Sequence, residues 1–396
     1  MANHKEIIGV IGSGSMGTGI AQIAATSGHE VRIYDTNDDS MEKSLDSLQK
    51  IMDKLVSKKK IDRDTADKIL SRISYFHSVE KLGDADLIIE AIVEDLDIKR
   101  NVFSHLEIIA KDDAILATNT SSLSIASICG ACNKPERVLG IHFFNPAPVM
   151  PLVEIIPAVQ TSGDTLVAAR NLVDSWGKTT VTAKDTPGFI VNRVARPFYG
   201  EALRIYEEGI ADIATIDWAM KEIGGFKMGP FTLMDYIGND VNYAVTESVF
   251  EAFFYDARYR PSFTQKRMVE AGWLGKKSKR GYYNYSEGAE NKVPNKDSEL
   301  GNAIVNRILL MLINEAVEAL YLNISTRDGI DLAMTKGVNY PKGLLKWADE
   351  IGIDKVLRGL EELQNKYGED RYRPSVLLRK MAEERKTFYS EKIMEN

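Results

Sequence analysis

The chain has 396 residues, of which 44% are hydrophobic and 27% are charged, and its formal net charge is −7. This composition is ordinary for a globular protein and lacks the basic excess that is typical of nucleic-acid binders. The length predicts two or three domains. No apolar run reaches the roughly 20 residues of a membrane span, and the N-terminus lacks the pattern of a signal peptide. We therefore expect a cytoplasmic protein without nucleic-acid or membrane partners.

The first forty residues have the pattern of a strand, a glycine-rich turn, a helix and a second strand. The branched aliphatic run 7–12 is typical of a buried parallel strand and leads directly into the turn. There the first glycine permits a tight turn, the second lets a pyrophosphate approach the backbone, and the third lets helix and strand pack closely. The free N–H groups that open the helix favour an anion. The residues predicted to contact a dinucleotide in this turn are Gly12, Gly14, Ser15, Met16 and Gly17.

An acidic residue follows the second strand at a spacing that selects the dinucleotide. Asp35 lies 23 residues after Gly12, near the spacing expected of the acid that holds the adenosine ribose. A carboxylate there repels a 2′-phosphate, so the segment predicts a Rossmann unit that binds NAD rather than NADP. A glycine-rich turn without a ligand is the alternative.

Strands and helices alternate from there to about residue 184. Residues 38–70 are predicted to form one or two polar helices. Five further strands are predicted at 85–94, 114–122, 137–144, 152–158 and 179–183. Such alternation predicts an α/β fold with a largely parallel sheet, here one doubly wound Rossmann-type domain.

The sequence changes character at DTPGFIVNR, residues 185–193. Pro187 favours the start of a helix, and the chain beyond it is almost entirely helical in its hydrophobic period. We therefore expect the first domain to end near residue 184.

An internal repeat divides the helical half. Residues 190–193 (IVNR) recur as 304–307 at an offset of 114, and Tyr-Arg-Pro-Ser at 259–262 recurs at 372–375 at an offset of 113. The offset is constant over most of the repeat, and the change from 114 to 113 means that the second copy lacks one residue. The recurrence predicts two all-α domains related by an internal repeat. The expected organisation is an NAD-binding domain at 1–184, a first helical domain at 185–290 and a second helical copy at 291–396.

One histidine is placed to act as a general base, which the oxidation of an alcohol with NAD requires. Of the five histidines, only His142 ends a buried-looking strand in the half of the sheet where ligands bind. Glu154 follows in the apolar run LVEII, where a carboxylate must be paired. The prolines between them favour a loop that would set the two strands side by side. We predict a His142–Glu154 pair that fixes the tautomer, with a structural histidine as the alternative.

The motifs GxGxMG, NTSSL, HFFNP, LVEII, DTPGFIVNR and MGPF-LxDYIG, in this order, resemble the L-3-hydroxyacyl-CoA dehydrogenase family, including its 3-hydroxybutyryl-CoA dehydrogenases. The resemblance covers residues 5–285, and the second helical copy resembles the tandem C-terminal domains of longer relatives. It implies reversible, NAD-dependent oxidation of a short-chain (S)-3-hydroxyacyl-CoA to the 3-ketoacyl-CoA, in β-oxidation or a butyrate-type pathway.

The resemblance also implies roles for individual residues. His142 would take the proton of the 3-hydroxyl group, and Glu154 would orient it. Ser121 would hydrogen-bond the substrate oxygen, and Asn192 would meet the substrate from the helical half. Cofactor contacts are implied at Glu94, Lys99, Asn145 and Lys277, and a contact near CoA is implied at Lys59.

Three of these residues have plainer alternatives. Ser121 could cap a helix that starts at Leu123, and Asn192 could bond only within its own domain. The run Lys58–Lys60 could be a solvated face rather than a contact for the phosphates of CoA.

The two cysteines, Cys129 and Cys132, exclude a disulfide scaffold but form a CxxC pattern. The pattern lies outside the helix-start context of redox motifs, and a zinc site would need further ligands. We interpret both as incidental thiols.

The second helical copy keeps Asn306 but shows no counterpart of GKKSKRGYY, so we expect it to be structural. Because the resemblance implies single-copy relatives that dimerise through their helical domains, the chain is expected to be a homodimer or a monomeric pseudo-dimer. Two other functions stay open: a hydroxyacid or sugar-acid dehydrogenase that does not use CoA, and a non-catalytic NAD-binding protein.

Overall fold

The computed structural model describes residues 5–389, so residues 1–4 and the end of the predicted third domain, 390–396, lie outside the described residues. The chain divides between Thr186 and Pro187 into two compact units. Among residues 5–389, no helix combines the length and the apolar character needed to cross a bilayer.

The first unit is built around one eight-stranded sheet in the order β3-β2-β1-β4-β5-β6-β7-β8. The first six strands of that order are parallel, and β7 and β8 run in the opposite direction. This arrangement confirms the predicted Rossmann-type fold. The strands are β1 Ile7–Ile11, β2 Glu30–Tyr34, β3 Ile73–Phe76, β4 Leu87–Glu90, β5 Ile115–Thr118, β6 Val138–Phe143, β7 Leu152–Pro157 and β8 Thr179–Thr182.

Strand β3 was not predicted. It is only four residues long, lies at the edge of the sheet beside β2, and carries no fully buried side chain. A short edge strand has one ladder of hydrogen bonds and one covered face, so its sequence does not show the continuous apolar run of a central strand.

Within residues 5–186, six α-helices accompany the sheet. The polar segment 38–70 forms two of them, because Lys59 adopts a left-handed conformation (φ 54°) after the first and Asp62 caps the second by accepting a hydrogen bond from Thr65 N. The helices are α1 Ser15–Thr26, α2 Asp38–Ser57, α3 Arg63–Leu70, α4 Leu96–Ile109, α5 Ile125–Cys129 and α6 Gly163–Ser175.

The second unit is helical. Its helices are α7 Val191–Val194, α8 Arg196–Glu207, α9 Ile213–Trp218, α10 Pro230–Ile237, α11 Asn239–Ala252, α12 Phe263–Glu270, α13 Ser298–Tyr321, α14 Arg327–Leu332, α15 Leu344–Ile351, α16 Ile353–Tyr367 and α17 Val376–Glu383. The expectation that a helix begins at Pro187 is wrong. Gly188 (φ 72°) and Phe189 (φ 45°) turn the chain first, and α7 begins at Val191.

The two helical copies use equivalent aspartates to cap equivalent helices. Asp217 accepts hydrogen bonds from the first N–H groups of α10 (2.9 and 2.8 Å), and Asp331 does the same for α15 (2.9 and 3.0 Å). They differ where Pro197 lacks the N–H that a helix interior needs, so the first copy breaks into α7 and α8. Met311 stands at the matching position of the uninterrupted α13.

Helices α8 and α13 pack together, and each copy supplies an arginine to the other. Arg193 Nε donates to a Glu315 carboxylate oxygen at 2.6 Å, and Arg307 Nε donates to Glu201 at 2.6 Å. All four side chains are at least 92% buried. Since 193 matches 307 and 201 matches 315 at the repeat offset, the two copies exchange equivalent contacts.

The expectation that the second copy has no counterpart of GKKSKRGYY is wrong for the tyrosines. Asp235 accepts hydrogen bonds from the backbone N–H groups of residues 282 and 283 (2.9 Å each). Asp349, its match in the second copy, accepts them from residues 388 and 389 (2.8 Å each). The match is not evident from the sequence, because the aromatic pair at 388 and 389 does not follow a lysine-rich stretch like 276–280.

Candidate active site

The glycine-rich turn between β1 and α1 has the conformation that its sequence predicts. Gly12 has φ 96°, which favours glycine, and its N–H donates to Tyr34 O at 2.8 Å. A Cβ on Gly17 would lie 1.8 Å from Gly12 O, so only glycine lets helix and strand approach this closely. A Cβ on Gly14 would point into open space at the first turn of α1, where Ser15 is also exposed. That space and the N–H groups of α1 fit a dinucleotide pyrophosphate.

Asp35 is fixed at the end of β2 by the turn itself. One carboxylate oxygen accepts hydrogen bonds from Ser13 N and Ser13 Oγ at 2.7 Å each, and the other accepts from Asn37 N at 3.0 Å. Ser13 was not singled out in the sequence. Its role depends on β1 and β2 being neighbours, which links the acid expected to hold the ribose to the turn expected to hold the pyrophosphate.

His142 and Glu154 face each other directly on the antiparallel strands β6 and β7. Nδ1 of His142 lies 2.8 Å from a carboxylate oxygen of Glu154, and the side chains are 7% and 0% exposed. The ring of Phe144 packs on the imidazole at 4.5 Å. The carboxylate therefore holds Nδ1 and sets the orientation of the ring.

Ser121 lies in the loop between β5 and α5, and several groups of this loop donate hydrogen bonds to one carboxylate. A single oxygen of Glu94 accepts hydrogen bonds from Thr120 Oγ1 (2.6 Å), Ser121 N (2.9 Å) and Ser122 Oγ (3.0 Å). Burial alone would raise the pKa of Glu94. The hydrogen bonds from Thr120 and the loop, together with the charge of Lys99, outweigh burial and hold that pKa below its usual value.

The alternative that Ser121 caps a helix starting at Leu123 is wrong. Helix α5 begins at Ile125, and its cap is Ser124, whose side chain accepts a hydrogen bond from Ser127 N. Asp185 also binds the start of this helix, accepting from Ile125 N (3.0 Å) and Ala126 N (2.8 Å).

A buried ion pair lies behind Glu94. Lys99 Nζ donates to Glu90 at 2.6 Å and lies 3.3 Å from Glu94, and the side chains of Lys99 and Glu90 are 1% and 0% exposed. Glu90 also accepts a hydrogen bond from Thr118 Oγ1 at 2.8 Å. The sequence alone does not identify this partner of Lys99, because Glu90 lies within the apolar run of the predicted strand 85–94.

The first unit thus collects the glycine turn, the Glu94 loop, the Ser121 loop and His142 at one edge of the sheet. They follow or end β1, β4, β5 and β6, whose carboxyl ends meet there. In doubly wound sheets this is the edge where ligands bind. Asn145 follows β6 at the same edge and is exposed.

The remaining predicted contacts lie elsewhere in the chain. Lys58, Lys59 and Lys60 are exposed at the end of α2. Asn192 (half-buried, in α7) and Lys277 belong to the second unit, where Lys277 Nζ donates to Asp240 at 2.6 Å. That these two residues approach His142 stays a prediction.

Both cysteines lie near α5 as free thiols. Burial raises the pKa of Cys129 to about 12 and that of Cys132 to about 11. Almost no thiolate forms near neutral pH at such values, which disfavours nucleophilic or redox chemistry.

Comparison with known proteins identifies the family. The model of the NAD binding domain of 3-hydroxyacyl-CoA dehydrogenase matches residues 7–186. The model of the family's C-terminal domain matches both helical copies, at 188–285 and 304–391.

Similar proteins carry related names. The 3-hydroxyadipyl-CoA dehydrogenase of Escherichia coli (strain K12) is 36% identical over 96% of this chain and 98% of its own length. The 3-hydroxybutyryl-CoA dehydrogenase of Clostridioides difficile is 43% identical over 71% of this chain and 99% of its own. A crystal structure of 3-hydroxybutyryl-CoA dehydrogenase from Escherichia coli K12 superposes with a TM-score of 0.90 at 36% identity, covering 96% of this chain and 98% of that one.

The sheet, the glycine turn and these matches define an NAD-dependent oxidoreductase. The chain belongs to the 3-hydroxyacyl-CoA dehydrogenase family, as its motifs predicted, and NAD is its cofactor.

Proposed function

We propose that this protein reversibly oxidises short-chain (S)-3-hydroxyacyl-CoA thioesters to 3-ketoacyl-CoA, with His142 as the general base. The observation that carries the proposal is the 2.8 Å contact between His142 Nδ1 and the buried carboxylate of Glu154. A carboxylate on Nδ1 assigns proton transfer to Nε2 and stabilises the imidazolium that forms.

The chain's own groups then have separate tasks. His142 takes the proton of the 3-hydroxyl group during oxidation and returns it during reduction. Glu154 holds the ring in one tautomer, and the Ser121 hydroxyl donates a hydrogen bond to the substrate oxygen. Bound NAD supplies the hydride acceptor. Glu94 orders the loop that carries Ser121, which keeps that donor in place during reaction.

The cofactor assignment extends to residues beyond the turn. Gly12, Gly14, Ser15, Met16 and Gly17 would hold the pyrophosphate, and Asp35 the ribose. Glu94, Lys99, Asn145 and Lys277 are proposed further contacts of the cofactor. For Lys277 the supporting observation is its exposure of 47%, which leaves its ammonium accessible beside Asp240.

Lys59 is the proposed contact for the phosphates of CoA. It has an exposed side chain in a run of three lysines, and it lines a surface depression together with Lys60 and the single carboxylate of Asp62. Clustered ammonium groups favour a polyanion such as the 3′-phosphate-ADP part of CoA. Asn192 is the proposed substrate contact from the second unit.

The acyl chain has two candidate lengths. Relatives that match about 70% of the chain are named for 3-hydroxybutyryl-CoA, and so is a solved structure that covers 96% of it, whereas one relative that also covers 96% is named for 3-hydroxyadipyl-CoA. We propose a short acyl chain, with the six-carbon dicarboxylyl thioester as the second candidate.

We also propose three domains and a monomeric pseudo-dimer. The two copies bury reciprocal Arg193–Glu315 and Arg307–Glu201 contacts against each other, so the second copy occupies the place that a second chain would otherwise take. Light scattering at low concentration is expected to give the mass of one 44.2 kDa chain. A stable mass of two chains would contradict the pseudo-dimer. The cytoplasmic location stays a prediction.

The first experiment is a spectrophotometric assay of NADH oxidation with acetoacetyl-CoA. NADPH and free acetoacetate serve as parallel controls, and 3-ketoadipyl-CoA as the second substrate. Loss of NADH with the thioesters alone would support the reaction, the cofactor and the need for CoA together. Turnover of free acetoacetate would favour a CoA-independent hydroxyacid dehydrogenase, and no turnover of any substrate would favour a non-catalytic NAD-binding protein.

A further inference from the structure

We infer that the buried guanidinium of Arg196 binds a carboxylate at the far end of the acyl chain, so that dicarboxylyl thioesters are the preferred substrate class. This inference rests on the proposed function and on Asn192 as the substrate contact from the second unit. It favours the second of the two acyl chains named above.

The first observation is a buried arginine that faces no carboxylate. Arg196 opens α8 and is 7% exposed. Among residues 5–389, no aspartate or glutamate pairs with it, and its Nε has no hydrogen-bond partner. Its contacts are neutral: Nη1 donates to Thr246 Oγ1 at 3.2 Å, and the guanidinium lies 5.0 Å from the ring centroid of Tyr199. An unpaired charge is costly to bury, so this group indicates a site for an anion.

Two other buried arginines of the same unit have carboxylate partners. Arg193 pairs with Glu315 and Arg307 with Glu201, at 2.6 Å each. Burial alone would lower the pKa of both guanidinium groups, but the carboxylates around them outweigh it and raise that pKa. Burial lowers the pKa of Arg196, because none of the described carboxylates offsets it. Arg196 therefore lacks the compensation that the fold gives to Arg193 and Arg307.

The second copy shows that the fold does not need a charge at this position. Leucine stands there, and two polar neighbours of Arg196 have apolar matches as well. The side chains of the second copy are at most 3% exposed, so this part of a copy packs well when it is apolar. At the repeat offset the matched pairs are Arg196 and Leu310, Tyr199 and Ile313, and Thr246 and Leu360.

Arg196 lies on the same side of the chain as the proposed substrate contact. It follows Asn192 by four residues, and Ala195 between α7 and α8 keeps a helical backbone. Such positions share a face and lie about 6 Å apart along the axis. In the second copy their matches, Asn306 and Leu310, both line one cavity of about 350 Å³. A ligand that reaches Asn192 is therefore expected to pass close to Arg196.

A carboxylate is the anion that this position fits. A guanidinium offers paired N–H donors in a plane, which match the two oxygens of a carboxylate. An acyl-CoA carries its phosphates far from the reacting carbon, whereas a dicarboxylyl chain carries a carboxylate a few bonds beyond it. Because Asn192 is the proposed contact of the acyl part, the neighbouring Arg196 is assigned to the end of the acyl chain rather than to the phosphates.

The test measures NADH oxidation by the full chain with two thioesters of equal carbon number. 3-Ketoadipyl-CoA ends in a carboxylate and 3-ketohexanoyl-CoA in a methyl group, and acetoacetyl-CoA serves as the short reference. Arg196→Leu introduces the residue that the second copy carries. Arg204→Leu is the matched control, since Arg204 lies on the same helix with an 11% exposed side chain, 4.0 Å from Glu201. Thermal unfolding reports whether each variant is folded.

The expected result is a change of preference without loss of catalysis. The wild-type kcat/KM should be at least about tenfold higher for 3-ketoadipyl-CoA than for 3-ketohexanoyl-CoA. Arg196→Leu should lower the value for 3-ketoadipyl-CoA by roughly 10²-fold, mainly through KM, because it removes charge-assisted hydrogen bonds. The value for 3-ketohexanoyl-CoA should stay within about threefold. Arg204→Leu should leave the ratio of the two unchanged.

Other outcomes overturn the inference. Equal wild-type values for the two six-carbon thioesters, or an unchanged ratio in a folded Arg196→Leu, would show that the terminal carboxylate is not recognised there. An equal fall for both thioesters in a folded Arg196→Leu would assign Arg196 to the CoA part that they share.

A second variant covers the case in which Arg196→Leu does not fold. Arg196→Lys keeps the charge but loses the paired donors, so the ratio should fall about tenfold. An unchanged ratio, or failure of this variant to fold as well, would make Arg196 structural. Inactivity of the wild-type chain toward every thioester would instead refute the proposed function, so the two failures are distinguishable.

Discussion

Arg193 and Glu315 belong to different copies of the helical repeat, yet Nε of the arginine donates to the carboxylate at 2.6 Å in a buried interface. Tyr259 donates to the same oxygen at 2.6 Å. The matching triad of the second copy, Arg307, Glu201 and Tyr372, repeats both distances. The interface between the copies is thus built from equivalent, exchanged contacts, as in a symmetric dimer.

We predict that Arg193→Met destabilises the second unit by about 3–5 kcal/mol, because it leaves the Glu315 carboxylate buried without its closest cation. Urea unfolding of the full chain measures the loss. Arg260→Met is the matched control, since its pairing with Glu369 at 3.8 Å is exposed and should contribute about 1 kcal/mol or less. Equal effects of the two substitutions would show that the Arg193 contact is not a buried, energetically important pair.

The lowered pKa of Glu315 leads to a prediction of how stability depends on pH. Burial alone would raise the pKa of Glu315, but the charges of Arg193 and Arg258 outweigh it and lower that pKa below its usual 4.5. A lowered folded-state pKa adds stability that is present above the unfolded-state value and is lost as pH falls through the folded-state value. Unfolding free energy should therefore fall as the solution is acidified below about pH 4.5. In Arg193→Met the unfolding free energy should fall less steeply with pH. If it falls equally steeply in both proteins, Arg193 does not lower the pKa of Glu315.

We expect His142→Ala to lower kcat by about 10²–10⁴-fold while NADH binding changes little, because it removes the general base and leaves the glycine turn intact. Steady-state kinetics and NADH titration separate the two effects. His105→Ala is the control, since His105 lies on α4 with a 55% exposed side chain. Activity of His142→Ala within a few-fold of wild type would mean that another group is the base.

Asp35→Ala should weaken NADH binding and reduce the preference for NADH over NADPH. The substitution removes the carboxylate that repels a 2′-phosphate and frees Ser13, which donates to it twice at 2.7 Å. The ratio of kcat/KM for the two cofactors is the measurement, with Asp46→Ala on the exposed face of α2 as the control. An unchanged ratio would count against the ribose assignment.

Asp185→Ala should cost about 0.5–2 kcal/mol and raise the acetoacetyl-CoA KM, because Asp185 binds the N-terminus of α5 directly after the Ser121 loop. Asp212→Ala removes a similar cap from α9 in the second unit. It should cost as much stability without changing KM. A KM change of the same size in both variants would point to general destabilisation rather than to the loop.

The sequence alone determined the features that depend on neighbouring residues. The spacing of Gly12 and Gly17, the apolar runs of the central strands and the 114-residue repeat each have a local cause, either a backbone conformation that only glycine adopts freely or a period of burial. The His142–Glu154 pair can also be predicted from the sequence. A carboxylate in an apolar run needs a partner, and a proline-rich loop between two strands offers one.

Only the tertiary structure decided which distant groups meet. Strand order and helix packing determine four such features. They are the edge strand β3, the Glu90–Lys99 pair, the hydrogen bonds from the start of α5 to Asp185, and the Arg193–Glu315 contact between the copies. No local period records such partners. A charged side chain in a buried element shows that a partner must exist, but the fold as a whole selects it, because the burial that makes the pairing necessary arises only when the elements have packed.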